Sequence, residues 1–519
     1  MKLNLKNVVA FMAITAVAAT SLVVTSCNSD RLNEQVFDRL GGETYYKTED
    51  EFKVASASVY AQLRSYFWAY YNCSEVSSDE IVVPTRAGDW GDGGRWKQLH
   101  KHTWDANQSD LGEAYTNAYT GVARANIVLQ KLAETDAAFT GQSKAAYAAE
   151  LRVLRAFYYV QLLDFYGGVP IVKEDKASFP LDLKNLPARN TAAELFAYIE
   201  SELKASAADL PATRPATEYG RVTKGTANGL LTKLYLNAKV WSGAAKWDET
   251  IATADAIISS GNYSLANSYF DNFKVANESS PEILFVAPFH AKDDLGFPQM
   301  NINMRSLHYK QLPQEPWNGF SATAEYYSTF EAGDPRKNIF LVGQQYKDFD
   351  PTKAPLTTRG GLPLVFTLDI ADIESANEAE GIRVQKWQID AGADGGASGN
   401  DLILLRYADI LLAKAEALNE KGDVAGAVAL VNQIRSRPGS AAPAITAPAS
   451  NDLMRERILK ERGYELAWEG FRRQDLLRMG KYSTQPRKFL QNTDASRNLF
   501  PLPQREVDLN DKLTQNPGY

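Results

Sequence analysis

The chain has 519 residues, of which 45% are hydrophobic and 23% charged, and its formal net charge at pH 7 is −7. These fractions are typical of a soluble globular protein, and the length is sufficient for a large core or a core with an added lobe. The negative charge and the lack of a basic stripe in the sequence argue against a nucleic-acid partner. They favour a neutral ligand or a neutral protein partner.

The first 26 residues have the pattern of a targeting segment. Lys2 and Lys6 form a positive start, and an alanine-rich apolar run follows over residues 8–24. The run ends in Val-Thr-Ser-Cys, which resembles the bacterial lipobox and predicts a lipoprotein signal peptide over residues 1–26. A short transmembrane anchor is the alternative, because the apolar run is at the short end of the spanning range.

The lipobox resemblance implies cleavage before Cys27 and acylation of its sulfur and its new amino group. Several acyl chains anchor a protein stably where one does not, since each buried methylene contributes about 0.8 kcal/mol. Residues 27–48 are then a lipidated tether for a body that has no other long apolar segment. The second cysteine, Cys73, has no disulfide partner when Cys27 is lipidated.

Apolar residues recur at helical spacing on both sides of a central region of the chain. The predicted helices are 49–71, 111–132, 143–166, 191–210, 223–240, 247–259, 402–421, 424–435 and 453–471. The pairs at 223–259 and 402–435 are predicted to be hairpins in which small residues face large ones. The predicted fold class is therefore mainly α, with a tetratricopeptide-like scaffold of helical hairpins.

The central region, residues 262–401, is rich in Gly, Pro, Asn and aromatic residues and has few long periodic runs. We expect it to form a large, irregular, loop-rich insertion with a few short strands, for example at 282–289 and 361–367. Helical regions at 49–261 and 402–519 flank the insertion. Residues 49–519 are expected to fold as one compact unit.

Residues 77–104 form a glycine-rich stretch in which Trp90, Trp96 and Trp104 lie among charged residues. Pro84 and the glycines that follow it disfavour a long helix there. Large aromatic faces next to short polar groups suit a flat, polyhydroxylated ligand, because rings stack on its C–H face and charged groups bond to its rim. The alternative is an irregular loop that its tryptophans pin to the core.

Four stretches, in order along the chain, resemble one family. They are LRVLRAFYYVQLLDFYGGVPIV at 151–172, NGFSATAEYYSTFEAGDPR at 318–336, LLRYADILLAKAEALN at 404–419 and ERGYELAWEGFRRQDLLRMGKY at 461–482. With a lipobox before them, they make the chain similar to the SusD/RagB family of Bacteroidota outer-membrane lipoproteins over essentially the whole mature chain. The alternating charges of the fourth stretch predict a structural network rather than a catalytic site, with a solvated charged face as the alternative.

The resemblance implies a glycan-binding lipoprotein that captures an oligosaccharide and delivers it to a SusC-like TonB-dependent outer-membrane transporter. It also implies lipid anchoring at the outer membrane, exposure at the cell surface, and a role without catalysis or cofactor. A peptide or another nutrient is the alternative ligand in the same lid role, as the RagB branch suggests. A structural or interaction subunit with no direct ligand is a third hypothesis.

Aromatic residues of the 77–104 stretch and of the central insertion are expected to form the ligand site, by chemistry and location rather than by a matched motif. The predicted ligand-binding residues are Asp79, Arg86, Asp89, Trp90, Arg95, Trp96, Tyr309 and Trp317. Trp104, next to the second predicted helix, is assigned to the core. The ligand hypothesis requires that at least two of Trp90, Trp96 and Trp317 face solvent and lie close together.

Other patterns point only weakly to metal or hydrolytic chemistry. His100 and His102 form an H-x-H pair without an evident third ligand, so a satisfied or surface pair is favoured. Asp390, Asp394 and Asp401 flank a glycine-rich loop but miss the EF-hand spacing, so no metal is predicted. A glycosidase needs two carboxylates about 5 to 9.5 Å apart, and the sequence singles out no such pair.

Overall fold

The computed structural model describes residues 45–176, 179–182, 184–290, 302–393 and 398–519. Cys27, the predicted signal peptide and most of the predicted tether lie outside these residues. In the described ranges, no helix is long and apolar enough to cross a membrane. The α-helices are α1 Glu49–Ala61, α2 Ala69–Val76, α3 Arg95–Lys101, α4 Ser109–Glu134, α5 Lys144–Tyr166, α6 Ala192–Asp209, α7 Lys224–Leu236, α8 Ala238–Trp241, α9 Trp247–Ser259, α10 Ile302–Ser306, α11 Ala324–Thr329, α12 Tyr407–Glu420, α13 Val424–Arg435, α14 Asn451–Glu465, α15 Arg472–Arg478 and α16 Gln504–Leu509.

The β-structure consists of short antiparallel pairs. The strands are β1 Ile81–Val82, β2 Ile283–Ala287, β3 Ser321–Ala322, β4 Phe340–Leu341, β5 Gly343–Gln344, β6 Val365–Phe366, β7 Arg383–Val384 and β8 Leu402–Arg406. Strand β1 pairs with β3, β2 with β8, β4 with β7, and β5 with β6. The fold class is therefore mainly α with a few short strands, which confirms the prediction.

The long helices pack against one another in succession along the chain. Helix α4 packs on α5, α5 on α6, α6 on α7, α7 on α9, α9 on α12, and α12 on α13. Thr191 starts α6 with a capping box to Glu194, which satisfies two backbone donors. Gly121 lets α4 approach α5 closely, since a Cβ there would lie 2.4 Å from the Tyr158 ring. This succession of hairpins is the tetratricopeptide-like scaffold that the sequence predicts.

The insertion is attached to the scaffold by pairing and by a shared core. Strand β2, near the start of the insertion, pairs with β8, with Ile283 opposite Arg406. One hydrophobic cluster includes Phe52 from α1, Phe285 from β2 and Trp468 from the segment after α14. Burial of apolar surface thus holds the central insertion against both helical regions.

The structure corrects several predicted boundaries. The predicted helix 402–421 begins as strand β8, whose residues are all buried and pair with β2. The predicted helix 453–471 ends at Glu465, because Trp468 and Gly470 have φ angles of 59° and 92°, in the left-handed region. The predicted helix 49–71 is divided by a 3-10 turn, Gln62–Phe67.

The charged side chains of the 461–482 stretch are buried rather than solvated, except that of Lys481, which is 37% exposed. The Glu465 carboxylate is paired with Arg406 at 2.7 Å and with Arg336 and Arg437 at 2.9 Å, and all four side chains are buried. Burial alone raises the pKa of Glu465, but the Arg437, Arg406 and Arg336 guanidiniums outweigh it and lower that pKa well below its usual range. The network joins α14 to β8 and to the insertion, which supports the predicted structural role.

Candidate functional site

The 77–104 stretch is fixed to the insertion along its first half. Strand β1 pairs with β3, and the buried Arg86 side chain donates to the carbonyls of Asn377 at 2.9 Å and Glu380 at 2.7 Å. Its third contact is the Ser321 hydroxyl at 2.7 Å. Burial lowers the pKa of Arg86 to about 9. The structure corrects the prediction that Arg86 contacts the ligand, because its guanidinium is enclosed by acceptors of the insertion.

A tight turn follows and places the next two side chains at the surface. Arg86 and Asp89 exchange two backbone hydrogen bonds of 2.9 and 2.8 Å across Ala87 and Gly88. Both central residues have positive φ angles, 46° and 95°, the geometry of a two-residue hairpin turn that favours Gly. Trp90 also has a positive φ of 63°, and the Asp89 side chain is 44% exposed. The stretch thus contains a strand, a hairpin turn and helix α3, and is more regular than predicted.

Trp90 and Trp317 bring the two predicted halves of the site together. The Trp90 indole N–H donates to the Trp317 backbone carbonyl at 2.6 Å, and both tryptophans are partly exposed. The Trp90 ring lies on Gly319, where a Cβ would come within 2.2 Å of ring atom Cε2. It meets Phe320 edge-on, with 5.6 Å between centroids. Glycine at 319 is therefore required for this ring position.

Trp96 supports Trp90 from the interior. It is 2% exposed, packs against Trp90 and Phe320 at 5.9 and 5.4 Å, and donates its indole N–H to Asp92 at 2.6 Å. The structure thus corrects the prediction that Trp96 contacts the ligand. The Arg95 guanidinium lies 4.2 Å from the Trp96 ring centroid and 3.5 Å from Asp110, and its side chain is 35% exposed.

Tyr309 belongs to a polar cluster beside the two tryptophans. Its hydroxyl donates to Asp89 at 2.5 Å, and burial, with the Asp89 hydrogen bond, raises the pKa of Tyr309. The Arg359 guanidinium lies 4.0 Å over the Tyr309 ring, 3.0 Å from Asp89 and 2.6 Å from Glu378. We call Asp89, Trp90, Tyr309, Trp317 and Arg359 the aromatic patch. The sequence motifs do not identify Arg359, although an arginine before Gly-Gly, in Thr-Thr-Arg-Gly-Gly at 357–361, is a signal of an exposed turn.

Asp79 is far more enclosed than the sequence predicts. It is 0% exposed, accepts two hydrogen bonds from Arg472 at 2.7 and 2.9 Å, and accepts a third from Gln485 at 2.7 Å. Burial alone raises the pKa of Asp79, but the Arg472 guanidinium outweighs it and lowers that pKa. The structure therefore corrects the prediction that Asp79 contacts the ligand. The Asp79 side chain instead links the 77–104 stretch to α15.

Trp104 is a core residue, as predicted. It is 1% exposed and donates its indole N–H to the Tyr519 hydroxyl at 2.6 Å. The neighbouring His102 Nε2 lies 2.8 Å from the Ser77 carbonyl, and His100 Nδ1 lies 3.0 Å from the Ile81 carbonyl. Burial lowers the pKa of His100 to about 4. Both histidines are thus buried, and each has one ring nitrogen next to a backbone carbonyl, whereas His102 Nδ1 has no hydrogen-bond partner among the described residues.

The three aspartates that flank the glycine-rich loop, for which no metal is predicted, are only partly described, since Asp394 lies outside the described residues. Asp401 accepts from the Tyr219 hydroxyl and from the Phe289 backbone, each at 2.7 Å. Asp390 accepts from backbone N–H groups of its own loop. In the part of the chain that the structure describes, no group of three or more His, Cys, Asp or Glu is placed to hold a metal ion.

Comparison with known families gives two matches that together span most of the chain. The model of the SusD family matches residues 242–519, and a model described as "Starch-binding associating with outer membrane" matches residues 47–236. Among curated relatives, the starch-binding protein SusD of Bacteroides thetaiotaomicron is 25% identical over 86% of this chain and 85% of its own length. The SusD-like protein P2 of Formosa agariphila is 25% identical over 96% of this chain and 98% of its own.

Solved structures share the fold. A SusD-like protein from Bacteroides fragilis superposes with a TM-score of 0.75 at 23% identity, covering 94% of this chain and 100% of that one. Surface glycan-binding protein A from Bacteroides thetaiotaomicron, in complex with laminarihexaose, has a TM-score of 0.70 at 22% identity, covering 90% of this chain and 99% of that one. Because the family model also matches more than half of the chain, this protein belongs to the SusD family.

Proposed function

We propose that this protein binds an oligosaccharide at the aromatic patch. The observation that carries the proposal is the junction of Trp90 and Trp317, two partly exposed tryptophans from distant parts of the chain, where the Trp90 indole N–H donates to the Trp317 backbone carbonyl at 2.6 Å. Next to them lie the Asp89 carboxylate and the Arg359 guanidinium, both about half exposed. Aromatic faces beside hydrogen-bonding groups are the chemistry that a sugar ring needs, with its apolar C–H face and hydroxyl rim.

The charges of the patch favour a neutral ligand and binding without cleavage. Asp89 and Glu378 are both paired with Arg359, so one guanidinium serves two carboxylates, and the remaining negative charge disfavours an anionic ligand. Burial raises the pKa of Glu378, but hydrogen bonds from Arg359 outweigh it and lower that pKa. A glycosidase requires a carboxylic acid whose pKa is raised, so that it can protonate the leaving group. Glu378 has the opposite shift.

The relatives support a glycan as the ligand class, since one is named starch-binding and another structure contains laminarihexaose. We further propose that acylated Cys27 anchors the protein at the outer membrane, exposed at the cell surface, where it delivers its ligand to a SusC-like TonB-dependent transporter. The family resemblance and the matching description "associating with outer membrane" support this placement. Co-purification of a large barrel protein with the wild type from detergent-solubilised outer membranes tests the partnership, and its absence contradicts it.

Isothermal titration calorimetry with maltohexaose and with laminarihexaose tests glycan binding. We expect dissociation constants in the micromolar to millimolar range for an open patch. Trp90→Ala and Trp317→Ala are each expected to weaken binding at least about tenfold, or roughly 1.4 kcal/mol, through loss of a stacking face. The matched control is Trp247→Ala, which removes another partly exposed tryptophan, at the start of α9.

The outcomes separate the three hypotheses of the sequence analysis. If Trp90→Ala and Trp317→Ala lose glycan binding while their melting temperature stays unchanged, the aromatic patch is supported as the binding site. Binding of a peptide digest, but of neither glycan, moves the ligand class to peptides and leaves the patch in place. If wild-type protein binds no ligand of either class while it still associates with its transporter, the protein is an interaction subunit and the glycan proposal fails.

A further inference from the structure

A second cleft lies between the segment that leads into α7 and the strand β2. Its volume is about 510 Å³, and its lining includes Arg214, Tyr219, Arg221, Tyr263 and Glu278. No residue that lines it belongs to the aromatic patch. The volume falls within the range of roughly 300 to 1,000 Å³ that is common for small-molecule sites. The cleft is therefore large enough for a short segment of an oligosaccharide.

Two tyrosines in this cleft are fixed by their hydroxyl groups. The Tyr219 hydroxyl donates to Asp401 at 2.7 Å, and the Tyr263 hydroxyl lies 3.0 Å from the Thr223 hydroxyl. Both side chains remain partly exposed. Rings anchored in this way lose little conformational entropy when a ligand stacks on them, which is the physical basis of preorganised binding.

The faces of these two rings are not used by other aromatic or cationic groups. Within the ranges that the structure describes, neither Tyr219 nor Tyr263 stacks on another ring or lies under a cation. The contrast is with Tyr309 of the aromatic patch, whose ring carries the Arg359 guanidinium at 4.0 Å. Tyr263 packs against the core and lies over Gly225, but the partly exposed surface of each ring carries no other ring or cation and is available to an external sugar ring.

The two arginines of the cleft are already neutralised, and Glu278, which is exposed and has no ion pair within the described residues, adds a negative charge to the lining. Arg214 pairs with Glu150 at 2.5 Å and Glu218 at 3.0 Å, and Arg221 pairs with the same carboxylates at 2.6 and 2.8 Å. An anionic ligand would have to displace these short ion pairs. The Glu150 carboxylate, which takes part in two of them, is buried. Hydroxyl and amide groups complete the rim, from residues Thr213, Asn262, Ser279 and Ser280. The cleft therefore suits a neutral, hydroxyl-rich molecule.

We propose that this cleft is a second carbohydrate-binding site, in which a short neutral segment of a glycan stacks on Tyr219 and Tyr263. The inference rests on the proposed function for its ligand class, but it uses none of the residues of the aromatic patch. Two separate sites on one protein would let a long glycan remain attached to one while it dissociates from the other. Such rebinding raises the effective affinity without any new contact.

Hydrogen–deuterium exchange read by mass spectrometry tests the proposal, because it reports each site separately. The probes are five neutral hexasaccharides: maltohexaose, laminarihexaose, cellohexaose, xylohexaose and mannohexaose. At saturation we expect at least one of them to slow exchange in peptides covering 212–223 and 278–286, in addition to peptides of the aromatic patch. Titration of the protection yields a dissociation constant for each site.

Variants assign the protection to the two tyrosine rings. Tyr219→Ala and Tyr263→Ala are each expected to weaken binding at this cleft at least about tenfold, while protection at the aromatic patch persists. Tyr219→Phe and Tyr263→Phe keep the rings and are expected to retain most of the binding. Ser279→Trp adds a bulky side chain at an exposed position of the rim and blocks the cleft without removing a core atom.

The possible results decide the inference separately from the proposed function. Protection at both sites, with the cleft signal lost in the alanine and Ser279→Trp variants, supports the second site. Protection at the aromatic patch alone, for all five glycans, overturns the second site and leaves the proposed function standing. Protection at the cleft alone supports the second site and overturns the aromatic patch. No protection anywhere overturns both.

Discussion

Replacing Glu75 by glutamine is expected to stabilise the protein at neutral and alkaline pH. Glu75 lies in helix α2 with its carboxyl fully buried, and within the described residues no ion pair reaches it. Burial raises the pKa of Glu75 from 4.5 to about 7. Burial and the neighbouring charge of Glu75 also raise the pKa of Glu80 well above its usual value. The folded protein thus holds a carboxyl group that resists ionisation.

The sign and size of the effect follow from proton linkage. With a pKa near 4.5 unfolded and about 7 folded, Glu75 binds its proton more tightly in the folded state. Its contribution to the free energy of unfolding is fully present below the unfolded pKa and is lost progressively as the pH rises towards 7. Because a tenfold change in proton affinity corresponds to about 1.4 kcal/mol, the loss is on the order of 3 kcal/mol. Glutamine does not ionise, so the Glu75→Gln variant does not undergo this loss of stability.

Urea unfolding at about pH 5 and about pH 8, followed by tryptophan fluorescence, measures this difference. The stability of Glu75→Gln relative to wild type should improve by roughly 2 to 3 kcal/mol between the two pH values. The control is Glu49→Gln, because hydrogen bonds from the backbone N–H groups of Gly141, Gln142 and Thr140 lower the pKa of Glu49 to about 2. That variant should be destabilised at both pH values. A Glu75→Gln benefit that is equal or larger at pH 5 would refute the reasoning.

Two further substitutions test the buried network and the aromatic patch. Arg406→Ala should lower the free energy of unfolding by about 3 to 5 kcal/mol, because it removes a cation from Glu465 and Glu469. A loss below about 1 kcal/mol in urea unfolding would contradict a structural role of Arg406. Gly319→Ala should weaken glycan binding measured by calorimetry, because the new Cβ would lie 2.2 Å from the Trp90 ring and displace it. Gly360→Ala is the control, because a Cβ at that position would meet nothing closer than 3.8 Å. If both variants bind glycan with equal affinity, the position of the Trp90 ring does not determine that affinity.

Much of the scaffold could be predicted from local patterns. The helices α9 and α13 begin and end where their apolar periodicity and turn residues place them, and the Thr191 capping box marks the start of α6. Strand β8 could not be predicted in this way, because the run Leu-Ile-Leu-Leu-Arg is compatible with a buried helix or a buried strand. Its partner β2 lies more than a hundred residues earlier, so pairing over a long separation decides the outcome.

The candidate site was predictable as a region but not residue by residue. Tryptophans and charges in a glycine-rich stretch indicate a surface function, yet the sequence does not tell which side chains turn inward. Arg86 is enclosed by carbonyls from residues 377 and 380, and Asp79 by Arg472, none of which is near in sequence. Trp96 is buried against Trp90 and Phe320, and four positive φ angles, at Trp90, Asp92, Gly93 and Gly94, lie in the segment that leads to it. Long-range acceptors and backbone reversals therefore divide this stretch into exposed residues and buried, supporting residues.

The hydrogen bond that holds Trp90 has a consequence for how ligand preference can change over generations. Its acceptor is the backbone carbonyl of residue 317, not the side chain of that residue. Any amino acid at 317 that keeps the backbone path retains the anchor, so mutations there exchange one partly exposed side chain of the proposed site for another without releasing Trp90. Substitutions at position 317 can therefore change ligand specificity with little loss of stability. Position 319 must remain glycine, because a Cβ there would clash with the Trp90 ring.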